Sequence, residues 1–482
     1  MTDARMNNVG AIKKRFLQLH PVNATSGGTY SFKNGLPLIK FDISSSMMPL
    51  LLDGGALRLT GNMTAKQGAA GTAQLTNTEL NFLDGFAGIN QCIESITISS
   101  KRLNSVLERI TNYYRLVPSI TTGMNGVKDF ETRLAHFAGQ HATAALTRPS
   151  LNVYNAIDRN GAVGIANQVG QPFSTPLYAG LFQSGQDIDL SSVSGTGGLV
   201  IEILLRSDVG AIFGTDAATN QASYQLKDLV LTCPVYEMGG AAAAQQQAGV
   251  NQFNFNTWSS MFQTINTSSS VVAMTPGLGR VSSCLVNFIT ASDLGNQNFN
   301  SCRLGAVGEF RQLRWSKNGA LFPLQYRQQT VDEQNNNVAK LQAGDNFSYH
   351  TYNLNTDMYR TYLEALTTDR YNKVRNTLQA YNNWSGGSTD RTQNSGRDGV
   401  TPQTCEGIGI LYDSYGSGTN FQNVVWSIEG NWSANNRLRV NATPTDLPNS
   451  LDGTAATAQA AVIFFLNKNT LLLSQNGIDV HR

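Results

Sequence analysis

At 482 residues the chain is longer than one ordinary hydrophobic core serves, so two to four domains are expected. Apolar residues make up 41% and charged ones only 14%, against roughly 25% in ordinary soluble domains. A net charge of +2 excludes a global electrostatic pull on nucleic acid.

The 45 glycines and the abundant Ser, Thr, Asn and Gln point to an all-β chain with long polar loops. The shortage of charge suggests surface covered by neighbouring copies. The five cysteines (Cys92, Cys233, Cys284, Cys302 and Cys405) are scattered without a C-x-x-C spacing, which reads as buried free thiols rather than a zinc site. Seven N-x-S/T sequons, including those at Asn23, Asn62 and Asn431, are what Asn-, Ser- and Thr-rich loops produce by chance. The longest apolar runs, such as Ala461–Leu466, are too short to span a bilayer, so a soluble protein made in a cytoplasm or nucleus is expected.

Residues 1–27 read as an N-terminal arm. Val9, Ile12, Phe16 and Leu19 fit one face of a helix, with Lys13, Lys14 and Arg15 beside them. Either this arm faces a membrane or genome, or it is a helix that caps the underside of a domain. Strands follow. LPLIKFDIS places Ile39, Phe41 and Ile43 on one face and Lys40 and Asp42 on the other, and Leu57 and Leu59 alternate with Arg58 and Thr60. In the central stretch Gln91–Ile120, Ile96 and Ile98 alternate as in a half-buried strand. Leu103, Val106, Leu107, Ile110, Tyr114 and Val117 then recur at helical spacing. Ser105 and Glu108 have the spacing of a capping box, and Pro118 closes the predicted helix. The Gly/Ala/Asn-rich section from Thr121 to Gly185 is expected to hold loops and short helices, one over Phe130–His141. Leu199, Ile201, Ile203 and Leu205, then Leu229, Leu231, Cys233 and Val235, mark two more strands.

Gly239–Val250, GGAAAAQQQAGV, is a composition break near the midpoint and reads as a linker. Beyond it, Cys284, Val286 and Phe288 alternate, and Asn318-Gly319 in FRQLRWSKNGALFPLQYR signals a tight hairpin. Leu354, Met358, Tyr359, Tyr362, Leu363 and Leu366 mark a helix, and Asn382–Gln403 an exposed loop. Gly407–Tyr412, Val424/Trp426/Ile428, Leu438/Val440, Val462–Leu466 and Leu471–Leu473 close the chain as strands. The halves repeat an architecture, strands interrupted by a helical insertion, without a residue-level repeat.

Three stretches carry a resemblance: IESITISS followed by LERITNYYRLVPSI, the earlier LPLIKFDIS, and the hairpin with ALFPLQY followed by the helix with MYRTYLEAL. Together they resemble the double jelly-roll major capsid proteins, closest to those of polinton-like viruses, with virophage proteins and adenovirus-type hexons more distant. The resemblance implies an all-β double jelly roll. It divides the chain into an inner-facing arm (1–27), a first jelly roll (28–240), a linker (241–250) and a second jelly roll (251–482). It also implies a structural subunit of homotrimeric, pseudo-hexameric capsomers tiling an icosahedral shell assembled in the host cytoplasm or nucleus. Neighbouring capsomers and minor capsid (penton or cement) proteins are the implied partners. The arm with Lys13, Lys14 and Arg15 is placed for genome or inner-membrane contact.

No chemistry competes with that reading. There is no Gly-Lys pair for a phosphate loop and no G-x-S-x-G elbow. His136 and His141 miss the spacing that puts two ligands on one helix face, and Asp187 and Asp189 lack the rest of a calcium loop. Arg311, Arg314 and Arg327 near Trp315 and Tyr326 resemble a nucleic-acid stripe, but Arg311 and Arg314 fall on opposite strand faces. No catalytic residue, metal or cofactor is expected. The alternative is a two-domain β-sandwich carbohydrate-binding or spike protein stacking sugars on Trp384, Trp426 and Trp432. A glycoside hydrolase pairing Glu202 with Glu429 is the third reading.

Overall fold

The described residues of the computed structural model are 11–23, 27–32, 36–44, 50–53, 57–66, 81–84, 87–101, 105–124, 150–152, 171–183, 188–189, 198–214, 223–238, 251–265, 271–289, 312–327, 365, 408–412, 418–430, 433–434, 437–439, 450–452, 456–457, 460–474 and 477–481. Sixteen strands among them carry the architecture. In the first half these are β1 (Ala11–Leu19), β2 (Leu38–Ser44), β3 (Arg58–Lys66), β4 (Ile93–Ser100), β5 (Val106–Thr111), β6 (Gln171–Pro176), β7 (Gly198–Leu205) and β8 (Ser223–Met238). In the second they are β9 (Asn251–Thr264), β10 (Val271–Met274), β11 (Val281–Ile289), β12 (Gln312–Lys317), β13 (Ala320–Arg327), β14 (Ile408–Leu411), β15 (Trp426–Gly430) and β16 (Ala460–Ser474).

Pairing of these sixteen strands builds two main antiparallel sheets in each half, extended by short strands such as Thr29–Tyr30, Leu50–Leu52, Ile188–Asp189 and Gly477–His481, while three small sheets of two or three strands lie apart among the described residues. The first half has the strand orders β1-β8-β3-β6 and β2-β7-β4-β5. The second has β9-β16-β11-β14 and β10-β15-β12-β13. Adding eight to every strand number of the first half gives the second. Both are eight-stranded jelly rolls, so the duplication invisible at residue level is complete in topology.

The cores follow the alternation of the sequence. Ile39, Phe41 and Ile43, together with Leu199, Ile201, Ile203 and Leu205, face Leu57, Leu59, Leu229, Leu231, Cys233 and Val235 across the first sandwich, all buried. The second core centres on aromatic rings. Trp315 and Trp426 meet edge-on at 6.0 Å, and Trp426 meets Phe465 at 5.3 Å. The Trp426 indole N–H donates to Tyr412 Oη at 2.7 Å.

Strand β16 is buried on both faces. Ala461, Ile463 and Phe465 enter the second core, whereas Ala460, Val462, Phe464 and Leu466 belong to the cluster that contains the first roll. That explains the unbroken apolar run AAVIFFL, a pattern usual for strands covered on both sides. Just beyond it a polar chain begins. Asn467 Oδ1 accepts from the Arg280 amide at 3.2 Å, Asn467 Nδ2 donates to Asn469 Oδ1, and Asn469 Nδ2 donates to Thr257 Oγ1, each of the last two at 2.6 Å.

Two helical expectations are corrected. Residues 11–19 form strand β1, not a helix, and they are the first strand of the first sandwich. Leu17 and Leu19 pack on the core while Lys14 and Phe16 face outward. The second concerns Val106–Thr111, which form strand β5, closed against β4 by a 2.9 Å bond from the Ser100 amide to Ser105 O. Three of its six residues are β-branched, and a partner strand satisfies their backbone. The helix starts only at α1 (Tyr113–Met124), after Asn112 turns the chain with φ at 55°, and Pro118 lies inside it. The helices expected over Phe130–His141 and, apart from Ala365, Leu354–Leu366 lie outside the described residues, as do the Gly239–Val250 break and the Asn382–Gln403 loop.

Asn318-Gly319 joins β12 to β13 with φ values of 51° and 77°, both left-handed as a type I′ turn requires. An added Cβ at Gly319 meets nothing within 4 Å, so only backbone strain opposes it. Gly319→Ala is expected to lower unfolding stability by about 1 kcal/mol, measurable as a reduced urea midpoint with an unchanged slope.

Candidate functional site

The most heavily constructed region among the described residues is the seam between the two rolls. From the first roll come the edge strand β5, helix α1 and the single turn α2 (Gly180–Gln183). From the second come β9, β11 and the outward-facing side of β16. Trp258, Phe255, Leu285, Val462, Phe464 and Leu466 pack there in one cluster with the first core. Roughly 1.5–3 kcal/mol of transfer free energy per large buried side chain makes this a permanent union.

Its polar centre is Glu108. Oε1 accepts from the amides of Gly180 at 2.9 Å and Trp258 at 2.7 Å, and Oε2 from the amide of Leu181 at 2.9 Å. One buried carboxylate thus binds three backbone donors on two elements, two on α2 and one on β9 of the other roll. Burial pushes its pKa up to about 7, against the downward pull of those three N–H groups. Thr111 and Ser260 add an amide-to-hydroxyl bond of 2.9 Å and a hydroxyl pair at 2.6 Å. Asn287 Nδ2 donates to Ser119 Oγ at 2.9 Å, and Ser119 Oγ also bonds the Arg115 carbonyl at 2.8 Å, tying α1 to β11. At Gly180 an added Cβ meets the Asn256 carbonyl oxygen at 2.5 Å, so the backbones of the two rolls touch there.

A second polar cluster braces the first roll. The Arg206 guanidinium lies 3.5 Å from the Tyr114 ring centroid, donates to Gly210 O and sits 3.7 Å from Glu94 Oε2. Tyr224 Oη donates to Arg206 O at 2.6 Å, and the Tyr224 amide donates to Asp208 Oδ1 at 3.1 Å. These groups bind one another and the backbone, which is bracing rather than reactivity. Cys92 beside them and Cys284 in the second core are buried free thiols pushed upward by desolvation, and Cys233 is pushed up to about 12.

The residues singled out from sequence are not brought together. Arg15 pairs with Glu237 at 3.0 Å, and Lys14 lies over the Phe16 and Tyr236 rings at 5.6 and 5.3 Å. Together with exposed Lys13 they occupy both faces of a strand rather than one stripe. Trp315 and Trp426 are buried and offer no ring for base or sugar stacking, while Trp384 and Trp432 lie outside the described residues. Glu202 on the first roll pairs with Lys40 at 2.9 Å, and Glu429 on the second with Arg314 at 3.8 Å, which does not make a hydrolase pair. Asp187, Arg311, His136 and His141 also lie outside the described residues, and no group of three metal-ligating side chains occurs within them. Sequence reading missed Glu108 as a seam residue, along with Ser119, Ser260 and Asn287. The available signal was a lone carboxylate in VLERIT and a lone amide in CLVNFI.

Replacing Glu108 with Ala leaves three buried amides without their acceptor, an expected loss of about 3 kcal/mol or more. Because the folded pKa lies above the ordinary 4.5, the group's contribution is fully present below about pH 4.5 and is lost as pH rises through about 7. The stability advantage of the wild type over Glu108→Gln, read from urea midpoints between pH 4 and 8 as an approximate window, therefore shrinks with rising pH and then levels off. Gly180→Ala, colliding with backbone, is expected to cost about 1–3 kcal/mol in the same assay.

No protein-family model matches the chain, and comparison with curated proteins finds no match. Solved structures do match. VP54 of PBCV-1, as fitted into a cryo-EM reconstruction of the virophage Sputnik, aligns with a TM-score of 0.53 at 10% identity, covering 98% of this chain and 97% of that one. The cryo-EM structure of the Sputnik virophage aligns with a TM-score of 0.50 at 8% identity, covering 98% of this chain and 89% of that one. Likeness at such identity is one of fold, and it agrees with the strand order: the chain is a double jelly roll.

Proposed function

We propose that this chain is a viral major capsid protein, a structural subunit rather than an enzyme. The single observation that carries this reading is the pair of jelly rolls with identical strand order, locked side by side by a buried seam. One chain thereby offers two similar building blocks at a fixed relative angle. Three such chains present six blocks, a near-hexagonal tile that packs edge to edge into flat facets. The sharing of this fold with viral major capsid proteins supports the same reading. So does the low charge, since repulsion between many identical copies stays small.

The finer features belong to the same proposal: a homotrimeric capsomer, contact with neighbouring capsomers and minor capsid proteins, and assembly in the host cytoplasm or nucleus. Genome or inner-membrane contact through Lys13, Lys14 and Arg15 belongs to it as well; these residues stand on β1, where Arg15 pairs with Glu237 and Lys14 lies over Tyr236.

Analytical ultracentrifugation of the purified protein is expected to show a species of three times the 52.2 kDa chain mass. Negative-stain microscopy is expected to show six-cornered outlines that associate into sheets or shells. A monomer that forms neither under any salt condition overturns the reading.

A further inference from the structure

Strand β16 is the last long strand of the chain, yet it stands inside the sheet β9-β16-β11-β14. It bonds to β9 along one edge, from Asn251↔Leu473 to Thr264↔Ala460, and to β11 along the other. Strand β9 ends that sheet and pairs with β16 alone among the described residues. Before β16 is in place, β9 and β11 therefore present two open edges across a gap. Two apolar clusters are incomplete as well. The second core lacks Ala461, Ile463 and Phe465, and the seam lacks Val462, Phe464 and Leu466. The polar chain from Arg280 through Asn467 and Asn469 to Thr257 has no middle. The first roll differs. Its matching strand β8 also lies inside a sheet, but the outer side of that sheet is polar, with Arg58 on Ser174 and Asn62 on Asp228. The first core can therefore close as soon as residue 238 is present.

We propose that β16 is the closing strand of the whole molecule: its insertion between β9 and β11 is the last step of folding, and it completes the second core and the seam in one event. Chain entropy sets that order. The bond from Asn469 to Thr257 joins residues 212 apart in sequence. Pairing at such range is slow, because the cost of closing the loop falls due before the contacts that repay it. Burial on two faces makes the step cooperative. A β16 docked on the second core alone leaves Val462, Phe464 and Leu466 in water, and one docked on the first roll alone leaves Ile463 and Phe465 there. The Trp258 amide on β9 reaches Glu108 only when the rolls meet, so the buried carboxylate is satisfied in the same event. Until then the two rolls have no fixed relative placement. The consequence for assembly rests on the capsid reading: a chain without its last strand cannot join a tile, so assembly waits for a complete chain.

The test is pulse-labelling hydrogen exchange while the full-length chain refolds from urea. Amides of β2, β7 and β4 are expected to gain protection first. Those of residues 462–466, Trp258, Gly180 and Leu181 are expected to follow together, at rates equal within about twofold and at least about tenfold slower than the first group. Gly180 and Leu181 decide most, because they belong to the first roll yet report on the seam. Protection of residues 462–466 together with β2 and β7 overturns the proposal, and so does protection of Gly180 and Leu181 ahead of β16. If the chain does not refold, native-state exchange in rising urea reads the order in reverse, with the same late group opening as one unit before the first roll's strands. Sedimentation of the refolding samples separates the two readings. A chain that shows this order and never associates overturns the capsid reading and leaves the closing strand standing. Three-chain species that form before β16 is protected overturn the closing strand and leave the capsid reading standing.

Discussion

The molecule depends on one buried carboxylate and the apolar surface around it. Glu108 leaves an edge strand of the first roll and gathers amides from a following turn and from the first strand of the second roll. A buried carboxylate without its donors is strongly unfavourable, so this arrangement is satisfied only when all three elements are in place together. The surrounding side chains supply the free energy of union, and Glu108 makes that union specific to one relative placement. In the proposed capsid tile such specificity matters, because an error of a few degrees between blocks accumulates across a facet.

The division of labour among strands follows from the same constraint. In the first roll the sheet containing β8 keeps one side for the core and leaves the other polar, with Arg58 bonded to Ser174 and Asn62 to Asp228. In the second roll the matching sheet is apolar on both sides, because the first roll covers what would otherwise be solvent-facing. Two domains with one topology therefore have different sequences at equivalent positions. Duplication is clear in strand order and absent at residue level, since burial rather than ancestry of shape dictates which positions are apolar.

Much of the fold was legible in single strands. The alternation of Ile39, Phe41 and Ile43, of Leu199 to Leu205, and of Leu229 to Val235 marks half-buried strands, and Asn318-Gly319 marks its hairpin. Two segments misled for one reason. Leu107 and Ile110, like Ile12, Phe16 and Leu19, lie three or four residues apart, a spacing that suits a helix but that tertiary pairing assigned to strands. The seam was not legible at all. Glu108 finds its donors 72, 73 and 150 residues away in the chain, and its spacing from Ser105 imitates a local cap. Nothing local to VLERIT distinguishes a capping carboxylate from one that clasps a distant strand.

The two-sided burial of β16 removes a safeguard that most strands enjoy. In a strand with one wet face, slipping by one residue turns greasy side chains into water and is rejected at once. A slip within AAVIFFL exchanges one apolar side chain for another, so polarity there hardly distinguishes neighbouring alignments. The amides just downstream do. Asn467 and Asn469 reach their partners on Arg280 and Thr257 in one alignment only, and act as an index pin for a strand whose own composition cannot set its position.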